Sequence, residues 1–342
     1  MLARGAEAAD RELPALLSLL VWRDGALASE RYFHGATRAT AFNVKSVSKS
    51  FLSALVGLAL REGYLKDLDQ PVAAVLPEYF QRPAAPPDLM FSRLVARGDS
   101  LRRQVTIRHL LTMTSGLGWD ENGLITIAFL TSSNPVRFAL ELPADTAPGT
   151  KYNYNTAGTH ILSAVLARKT GMTNRAFGER YLFGPLGITL RGWDVDPQGI
   201  HMGGSEMYFT ARDLVKFGVL YLNQGAVGGK QLIPADWVER SLAKQVEVPV
   251  KSFVEMIPNL DGYGYLWWRR KLDGRAVYCA LGYGGQYILI VPELRLVAAG
   301  GSALDARNPG TLPQIQGIFR PSTRTSCRQP SHARSASVAG TS

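Results

Sequence analysis

A serine and a lysine stand three residues apart in the segment KSVSKSFLSALVGLAL, at Ser46 and Lys49. On a helix, this spacing places the two side chains one turn apart on the same face. The run after Lys49 is apolar on nearly all sides, which is typical of a buried helix. Burial disfavours the charged form of an amine, and a neutral lysine can serve as the base for a serine nucleophile. We therefore predict that Ser46 and Lys49 open a core helix as nucleophile and base.

The same spacing occurs again at Ser241 and Lys244, and chance alone gives about one such pair in a chain of this length. Their surroundings differ. Ser241 lies late in PADWVERSLAKQVEV, a mixed segment that resembles a surface helix, whereas Ser46 stands where helix N–H groups favour developing negative charge. We prefer Ser46. A helix cap near a surface lysine is the competing interpretation of the pair alone.

A lysine base is more effective with a tyrosine that passes its proton to the leaving group. Tyr154, in PGTKYNYNTAG, follows a Pro-Gly turn and precedes a predicted helix that Asn155 or Thr156 caps. The only literal Tyr-x-Asn sequence is instead at Tyr221 to Asn223, but Tyr221 has helical core spacing with its apolar neighbours. We predict a catalytic role for Tyr154 and a structural one for Tyr221.

Acyl transfer also needs N–H donors for the oxyanion. The Ser46 N–H is one candidate. The glycine-rich GYGGQY, residues 282–287, is a second, because glycines weaken a strand unless a ligand or another backbone approaches closely. A bulge or a tight bend is the alternative interpretation of these glycines.

The motifs SVSK (46–49), YNT (154–156) and YGG (283–285) stand in the order found in the serine β-lactamase and penicillin-binding protein superfamily. The chain most resembles the class C β-lactamase-related hydrolases, in the branch that contains 6-aminohexanoate-dimer hydrolase and family VIII esterases. The resemblance covers residues 16–319 and includes RHLLTMTSGL, LFGPLGI and GGSEMYFTARDLVKFG. It implies a β-lactamase/transpeptidase-like fold and an enzyme that needs neither a cofactor nor a metal.

By this resemblance, Ser46 is acylated, Lys49 is the general base and Tyr154 relays the proton. The N–H groups of Ser46 and Gln286 form the oxyanion hole. The residues expected to contact substrate are Tyr283, Gly284, Gly285, Thr156, Trp119 and Asp120.

Two departures from the family pattern concern the substrate. Thr156 replaces the usual asparagine of the second motif, and Tyr283-Gly284-Gly285 replaces Lys-Thr-Gly. Loss of that lysine removes a cation for a β-lactam carboxylate, which favours an esterase or amidase. The alternatives are a β-lactamase or D-alanyl-D-alanine carboxypeptidase, and a catalytically inactive relative that binds small acyl ligands.

Composition limits the remaining possibilities. The 342 residues are 46% hydrophobic and 19% charged, with a net charge of +10. We find no nucleic-acid-binding module, no apolar run long enough for a membrane span, no metal-ligand spacing and too few cysteines for a disulfide framework. Cys279 reads as a small core residue. No signal peptide is visible, so we expect a cytoplasmic protein, or a periplasmic or secreted one if the N-terminus is truncated.

Strand-like segments at both ends with helices between them predict an α/β (α+β) fold: an antiparallel sheet of five or more strands flanked by helices, plus a mostly helical lobe. Two strands should meet at Asp24–Gly25, and three more should be separated at Asp273–Gly274 and near Pro292–Arg295. We predict one domain over residues 1–319, with the sheet from 14–34 and 262–302 and the lobe at 65–205. The Ser/Arg/Pro-rich residues 320–342 should be disordered.

Overall fold

The computed structural model describes residues 13–81, 100–249 and 260–304. Its largest element is a seven-stranded antiparallel sheet, ordered β2-β1-β12-β11-β10-β9-β8. Its strands are β1 (Leu16–Arg23), β2 (Ala26–Tyr32), β8 (Leu260–Tyr263), β9 (Trp268–Leu272), β10 (Arg275–Gly282), β11 (Gln286–Val291) and β12 (Leu296–Ser302). The predicted fold class, a mixed fold around an antiparallel sheet of five or more strands, is confirmed.

Two of the predicted turns are the tight turns of β-hairpins. Asp24 and Gly25 have φ angles of 50° and 98°, and Asp273 and Gly274 have 48° and 78°. Positive φ at both central positions matches the right-handed twist of the paired strands, and Asp-Gly adopts it readily. The expectation of three C-terminal strands was wrong, because the segment 263–302 contains four complete strands. The glycines of GYGG turn the chain and divide one expected strand into β10 and β11.

The helices cover the sheet and form the part of the chain beside it. They are α1 (Ser48–Arg61), α2 (Val72–Val75), α3 (Ile107–Leu111), α4 (Leu124–Leu130), α5 (Pro135–Glu141), α6 (Thr156–Thr170), α7 (Asn174–Gly178), α8 (Ala211–Leu222) and α9 (Ala235–Leu242). Short 3₁₀ turns occupy Lys45–Val47, Pro77–Tyr79 and Pro292–Leu294, and a π-helical turn occupies Glu179–Phe183. Short strands β3 (Ala41–Asn43), β4 (Gly192–Trp193) and β5 (Met207–Thr210) pair with one another, as do β6 (Ala226–Val227) and β7 (Lys230–Gln231).

Helix α1 lies in the centre of the molecule and is buried from Ser48 to Ala59. Its Phe51 ring stacks on Phe217 of α8, with ring centroids 3.8 Å apart, and on Phe209 of β5 at 4.4 Å. Burying a phenylalanine stabilises the fold by about 1.5–3 kcal/mol relative to leaving it exposed. This aromatic stack fixes the start of α1 relative to the sheet.

Helix α6 has the capping signals expected from the sequence. The Asn155 side chain accepts a hydrogen bond from the N–H of Gly158, and the helix ends at Gly171 in the left-handed conformation, at φ 65°. At the start of α8, Thr210 and Asp213 form the predicted capping box. The Asn155 cap fixes the chain on both sides of the helix start, where Tyr154 and Thr156 stand.

None of the helices in the described ranges has the length and apolar character needed to cross a bilayer. Among the same residues, no cluster of three or more His, Cys, Asp or Glu side chains is arranged to hold a metal ion. The predicted disordered tail, residues 320–342, lies outside the described residues, and the domain boundary at residue 319 stays a prediction.

Candidate active site

Ser46 and Lys49 lie together at the entrance of helix α1. The helix itself begins at Ser48, and Ser46 belongs to the 3₁₀ turn immediately before it. Lys49 Nζ lies 2.9 Å from Ser46 Oγ. The spacing therefore brings hydroxyl and amine into hydrogen-bonding contact, although Ser46 stands one turn before the α-helix and not at its first residue.

Lys49 is a buried lysine whose amine is surrounded by oxygen atoms. Its exposed fraction is 1%, and Nζ also lies 3.0 Å from Thr156 Oγ1 and 2.8 Å from the carbonyl oxygen of Gly204. Burial lowers the pKa of Lys49 to about 8, and the nearby carboxylate of Glu121 opposes that shift. Near neutral pH, this environment gives Lys49 a larger neutral fraction than an ordinary lysine has, although the ammonium still predominates.

Gly204 can approach Lys49 only because it carries no side chain. A Cβ at this position would lie 3.2 Å from Lys49 Nζ, 2.6 Å from Thr156 Cγ2 and 2.7 Å from Thr159 Oγ1. Real Cβ atoms essentially never approach as closely as the two shorter of these distances, and the distance to Lys49 Nζ is tighter than most real contacts. The segment GGSE, residues 203–206, which reads in the sequence as a simple turn, therefore supplies a hydrogen-bond acceptor to the amine.

Tyr154 completes the group that the sequence predicted. Its side chain is buried, forms a hydrogen bond with Ser46 and stacks on Trp268, with ring centroids 5.3 Å apart. Lys49 Nζ is 4.9 Å from the centre of the Tyr154 ring. Burial, followed by the charge of Glu121, raises the pKa of the Tyr154 phenol well above its usual value. The phenol therefore keeps its proton at neutral pH.

From the sequence, Glu121 is considered only as a residue that could line a cleft, and it is not among the predicted site residues. Its Oε1 accepts a short hydrogen bond from Thr156 Oγ1, and its Oε2 accepts from the Thr156 N–H at 3.1 Å and from Trp119 Nε1 at 2.5 Å. The only indication in the sequence is the position of Glu121 in GWDEN, residues 118–122, immediately after the segment TSGL, residues 114–117. Glu121 joins that loop to the start of α6.

The β10–β11 hairpin lies directly beside Ser46. Gly282 pairs with Gln286 at its end, and a Cβ on Gly282 would lie 2.4 Å from the carbonyl oxygen of Val44 and 3.2 Å from the Ser46 nitrogen. The Gln286 side chain is held on β12, where it donates to Ser302 O and accepts from Ser302 N. The backbone of this strand end thus comes close to the backbone at Ser46.

A cavity of about 630 Å³ opens over these groups. The described residues that line it are Lys45, Ser46, Glu121, Asn122, Thr126, Ile127, Leu130, Tyr154, Thr156, Gly204, Ser205, Glu206, Trp268, Leu281, Gly282 and Tyr283. Trp119 and Asp120 are not among them. Trp119 is buried behind Glu121, with its ring edge-on to Phe129, and Asp120 accepts a hydrogen bond from the Asn122 N–H.

Gly284 and Gly285 form the hairpin turn beside the cavity, with φ angles of 82° and 90°. The tight-bend interpretation of these glycines is therefore correct. Tyr283, which precedes them, is 55% exposed and lies on the cavity wall.

The second serine–lysine pair is not a site. Helix α9 exposes Asp236, Glu239 and Arg240, as expected for a surface helix, but Ser241 lies on its buried face. Its Oγ donates to the carbonyl oxygen of Trp237. Lys244 is exposed and pairs with Glu247. Tyr221 is fully buried and packs on Trp267, at 4.7 Å between ring centroids. None of these residues lines the cavity over Ser46.

Three further titratable side chains, Cys279, His109 and His201, have structural surroundings. Burial raises the pKa of the Cys279 thiol to about 12, as expected for a core cysteine; Cys327 lies outside the described residues. His109 closes the capping box of α3 with Thr106. His201 is buried beside Trp193, with ring centroids 4.9 Å apart.

The chain is similar to known hydrolases in sequence. The family model described as Beta-lactamase matches residues 8–310. The 6-aminohexanoate-dimer hydrolase of Paenarthrobacter ureafaciens is 25% identical over 293 residues, which cover 81% of this chain and 69% of that protein. Esterase EstB of Burkholderia gladioli is 31% identical over 162 residues, 44% of this chain and 37% of that protein.

Solved structures show the same fold. EstCE1, described as a hydrolase with promiscuous acyltransferase activity, has a TM-score of 0.68 at 18% identity, covering 92% of this chain and 96% of that chain. A penicillin-binding protein from Bacillus halodurans has a TM-score of 0.66 at 18% identity, covering 91% and 98%. With the family model matching 8–310 of 342 residues, the resemblance seen in the motifs is confirmed: the protein belongs to the β-lactamase family and is a hydrolytic enzyme of that fold.

Proposed function

We propose that the protein is a serine hydrolase that cleaves an ester or amide bond through an acyl-enzyme on Ser46. The observation that carries this proposal is the 2.9 Å contact between Ser46 Oγ and the amine of a buried lysine, Lys49. With a pKa of about 8, about a tenth of Lys49 is neutral at pH 7 and able to accept a proton. The relatives named as an esterase and as a dimer hydrolase support the same reaction class.

The reaction begins when Ser46 Oγ attacks the substrate carbonyl carbon and its proton passes to Lys49 Nζ. The carbonyl oxygen becomes an oxyanion, for which the backbone N–H groups of Ser46 and Gln286 are the proposed donors. Collapse of this intermediate breaks the bond to the leaving group, which takes the Tyr154 proton. The Lys49 ammonium restores that proton to Tyr154, so both groups return to their starting states.

Hydrolysis of the acyl-enzyme again uses Lys49 as the base. A water molecule loses a proton to neutral Lys49 while its oxygen attacks the acyl carbonyl. Ser46 leaves with that proton, and a carboxylic acid is released. The raised pKa of Tyr154 suits this scheme, since a protonated phenol is needed at the moment the leaving group departs.

The charges of the cavity favour a substrate without a carboxylate. Lys45 is the one lysine among the described residues that line the cavity, and no arginine is among them. Lys45 Nζ forms an ion pair with Glu206 at 2.8 Å, and Lys49 is buried beneath Ser46. Tyr283 stands where the family has a lysine. No cation in this lining is left to bind a substrate carboxylate, so efficient turnover of penicillins is not expected.

Apolar side chains form one wall of the cavity mouth. Ile127 and Leu130 of helix α4 are 59% and 55% exposed and line the cavity together with Leu281 and Tyr283 of the hairpin. Exposed aliphatic side chains that face a catalytic cleft are suited to an apolar ligand. We propose that the substrate carries an aliphatic or aromatic group that lies against this wall.

Substitution of the apolar wall tests the substrate class. In the double variant Ile127→Ser, Leu130→Ser, we expect kcat/KM for an octanoate p-nitrophenyl ester to fall about 10-fold relative to the acetate ester, since each buried methylene contributes about 0.8 kcal/mol. Leu27→Ser, on the far edge strand β2, is the matched control and should leave the ratio unchanged. An equal loss for both esters would show that the wall does not bind substrate.

A substrate panel combined with mass spectrometry tests the proposed reaction. Purified protein is assayed with p-nitrophenyl esters, short amides and nitrocefin, then quenched and digested. We expect ester turnover far above nitrocefin turnover, and an acyl mass added to the peptide that contains Ser46. Strong nitrocefin turnover would favour the β-lactamase or carboxypeptidase alternative. No turnover and no acyl adduct with any substrate would favour an inactive ligand-binding relative.

A further inference from the structure

The hydrogen bonds around Lys49 determine where its lone pair points. As an ammonium, Lys49 can donate to all three neighbours, Ser46 Oγ, Thr156 Oγ1 and Gly204 O. As a neutral amine it has two N–H donors and one lone pair, so one neighbour must donate to it. A carbonyl oxygen such as Gly204 O cannot donate. The donor must therefore be the hydroxyl of Ser46 or that of Thr156.

The Thr156 hydroxyl is not available as that donor. A hydroxyl carries one proton, and the proton of Thr156 Oγ1 is engaged by Oε1 of Glu121 in a short hydrogen bond. Thr156 therefore presents only its oxygen lone pairs to Lys49. The two N–H groups of the neutral amine go to Thr156 and Gly204, and the lone pair faces Ser46 Oγ, whose proton it must take.

We propose that Glu121 is a positioning residue that acts through Thr156 to direct the Lys49 lone pair toward Ser46. This inference rests on the proposed function, because it assigns Lys49 as the base. The carboxylate is well placed for the task. It is fixed at both oxygens: Oε2 accepts from the backbone N–H of Thr156 and from Trp119 Nε1, and Oε1 accepts from the Thr156 hydroxyl.

The support behind Glu121 makes its orientation difficult to change. Trp119 is 7% exposed, packs edge-on against Phe129 with ring centroids 5.7 Å apart, and accepts at its carbonyl from Asn153 Nδ2. A carboxylate held by three donors accepts a hydrogen bond from the hydroxyl and has no proton to donate in return. The Thr156 hydroxyl has no competing acceptor of comparable strength in these contacts.

Glu121→Gln is a sharp test because the neighbouring donors fix how the amide lies. The Oε2 position receives two N–H groups, from Thr156 and Trp119, so the amide oxygen must occupy it. The amide NH₂ then faces Thr156 Oγ1 and donates to it. The Thr156 proton has to turn toward Lys49, where it occupies the lone pair that Ser46 needs. Shape and two of the three hydrogen bonds are kept, while the direction of the third is reversed.

We expect Glu121→Gln to lower kcat for an ester roughly 10- to 100-fold, with little change in KM, since misdirection of a reacting group typically has effects of this size.

The rising limb of kcat/KM against pH should also move to lower pH than the wild-type limb near pH 8. The titratable groups that face Lys49 are Tyr154 and Glu121; Lys45 and Glu206 line the same cavity as an ion pair. Loss of the Glu121 charge removes the influence that raises the Lys49 pKa.

The direction of the pH shift separates this proposal from simple damage. If Glu121 only holds the loop in place, its loss lets water reach Lys49, and the limb should move upward toward the ordinary lysine pKa. A lower plateau with a limb moved upward would therefore overturn the proposal, as would an unchanged plateau. Glu141→Gln, an exposed carboxylate that pairs with Arg137 on α5, is the matched control and should change neither quantity.

Two Thr156 variants give an independent readout. Thr156→Val removes the hydroxyl and should lower kcat by a similar factor, and Thr156→Ser restores a hydroxyl and should recover most of that loss. If kcat recovers in Thr156→Ser but is not lowered in Glu121→Gln, Thr156 alone orients Lys49, and the proposal is contradicted. The acyl adduct on the Ser46 peptide is measured in every variant. Its absence in the wild type would mean that the proposed function itself is wrong.

Discussion

Replacing Ser46 with alanine is expected to abolish turnover of every ester substrate, with a loss of at least about 10⁴-fold in kcat/KM. The reason is chemical: the acyl-enzyme needs an oxygen at this position, and Ser46 is the hydroxyl in contact with both Lys49 Nζ and the Tyr154 phenol. The same substitution should abolish labelling by a fluorophosphonate probe, measured by gel fluorescence and by intact mass. The loss should occur without a change in the thermal unfolding midpoint larger than a few degrees, because Ser46 lies at the cavity surface.

The chain contains a matched control for this experiment. Ser241 has the same spacing to a lysine, but it is a buried residue that donates to the Trp237 carbonyl. Ser241→Ala should keep turnover and probe labelling while losing some stability, about 1 kcal/mol for the lost hydrogen bond. Labelling that survives in Ser46→Ala and disappears in Ser241→Ala would reverse the assignment.

Replacing Lys49 with methionine is expected to lower kcat/KM by about 10³-fold, because general acid–base catalysis typically contributes 10²–10⁴-fold. Methionine has a similar length and no charge, so it fills the space between Ser46 and Gly204 without acting as a base. In the wild type, the kcat/KM profile should rise through pH 8, the pKa to which burial lowers Lys49. In Lys49→Met the low remaining rate should lose this rising limb.

Lys49 should also make the free energy of unfolding increase with pH. Below pH 8 both the folded and the unfolded chain hold the Lys49 proton, and the folded state is penalised for a buried charge. Between about 8 and the usual 10.5, only the unfolded chain holds that proton, so the free energy of unfolding rises with pH. The full rise attributable to Lys49 is roughly 3 kcal/mol.

Urea denaturation at pH 7 and pH 10 measures this contribution by difference. Other groups titrate in the same window, but they are common to the wild type and to Lys49→Met. The gain in unfolding free energy from pH 7 to pH 10 should therefore be larger in the wild type than in the variant. Equal gains would mean that Lys49 is not held at a lowered pKa in the folded protein.

The sequence predicted those features that depend on neighbouring residues. Asp24–Gly25 and Asp273–Gly274 formed turns because Asp-Gly favours positive φ. Asn155 capped its helix, and the three-residue spacing of Ser46 and Lys49 brought their side chains into contact. The helical core spacing of Tyr221 predicts a packed residue and leaves Tyr154 as the catalytic candidate, and the structure buries Tyr221 in α8.

The features that sequence reasoning missed depend on contacts between distant segments. Glu121 accepts a hydrogen bond from Thr156, which is 35 positions away in the sequence. Gly204 has no side chain and contributes only its carbonyl oxygen, which accepts a hydrogen bond from Lys49 Nζ at 2.8 Å. Nothing in the local pattern of GWDEN or GGSE indicates these partners. The turn at Gly284–Gly285 was missed as a strand boundary for a different reason, since glycines within a strand and glycines at a turn look alike without the register of the neighbouring strands.

The aromatic stack of Phe51 between Phe209 and Phe217 has a consequence for how this enzyme tolerates change. The reacting groups are contributed by separate stretches of chain, and none of them is covalently near the next except Ser46 and Lys49. Their alignment depends on packing in the first turn of α1, at a residue that lies behind the cleft and does not line the cavity. Substitutions at residues that pack behind the cleft can therefore abolish activity while every reacting group is retained. Intact motifs in a relative are for this reason weak evidence that the relative is active.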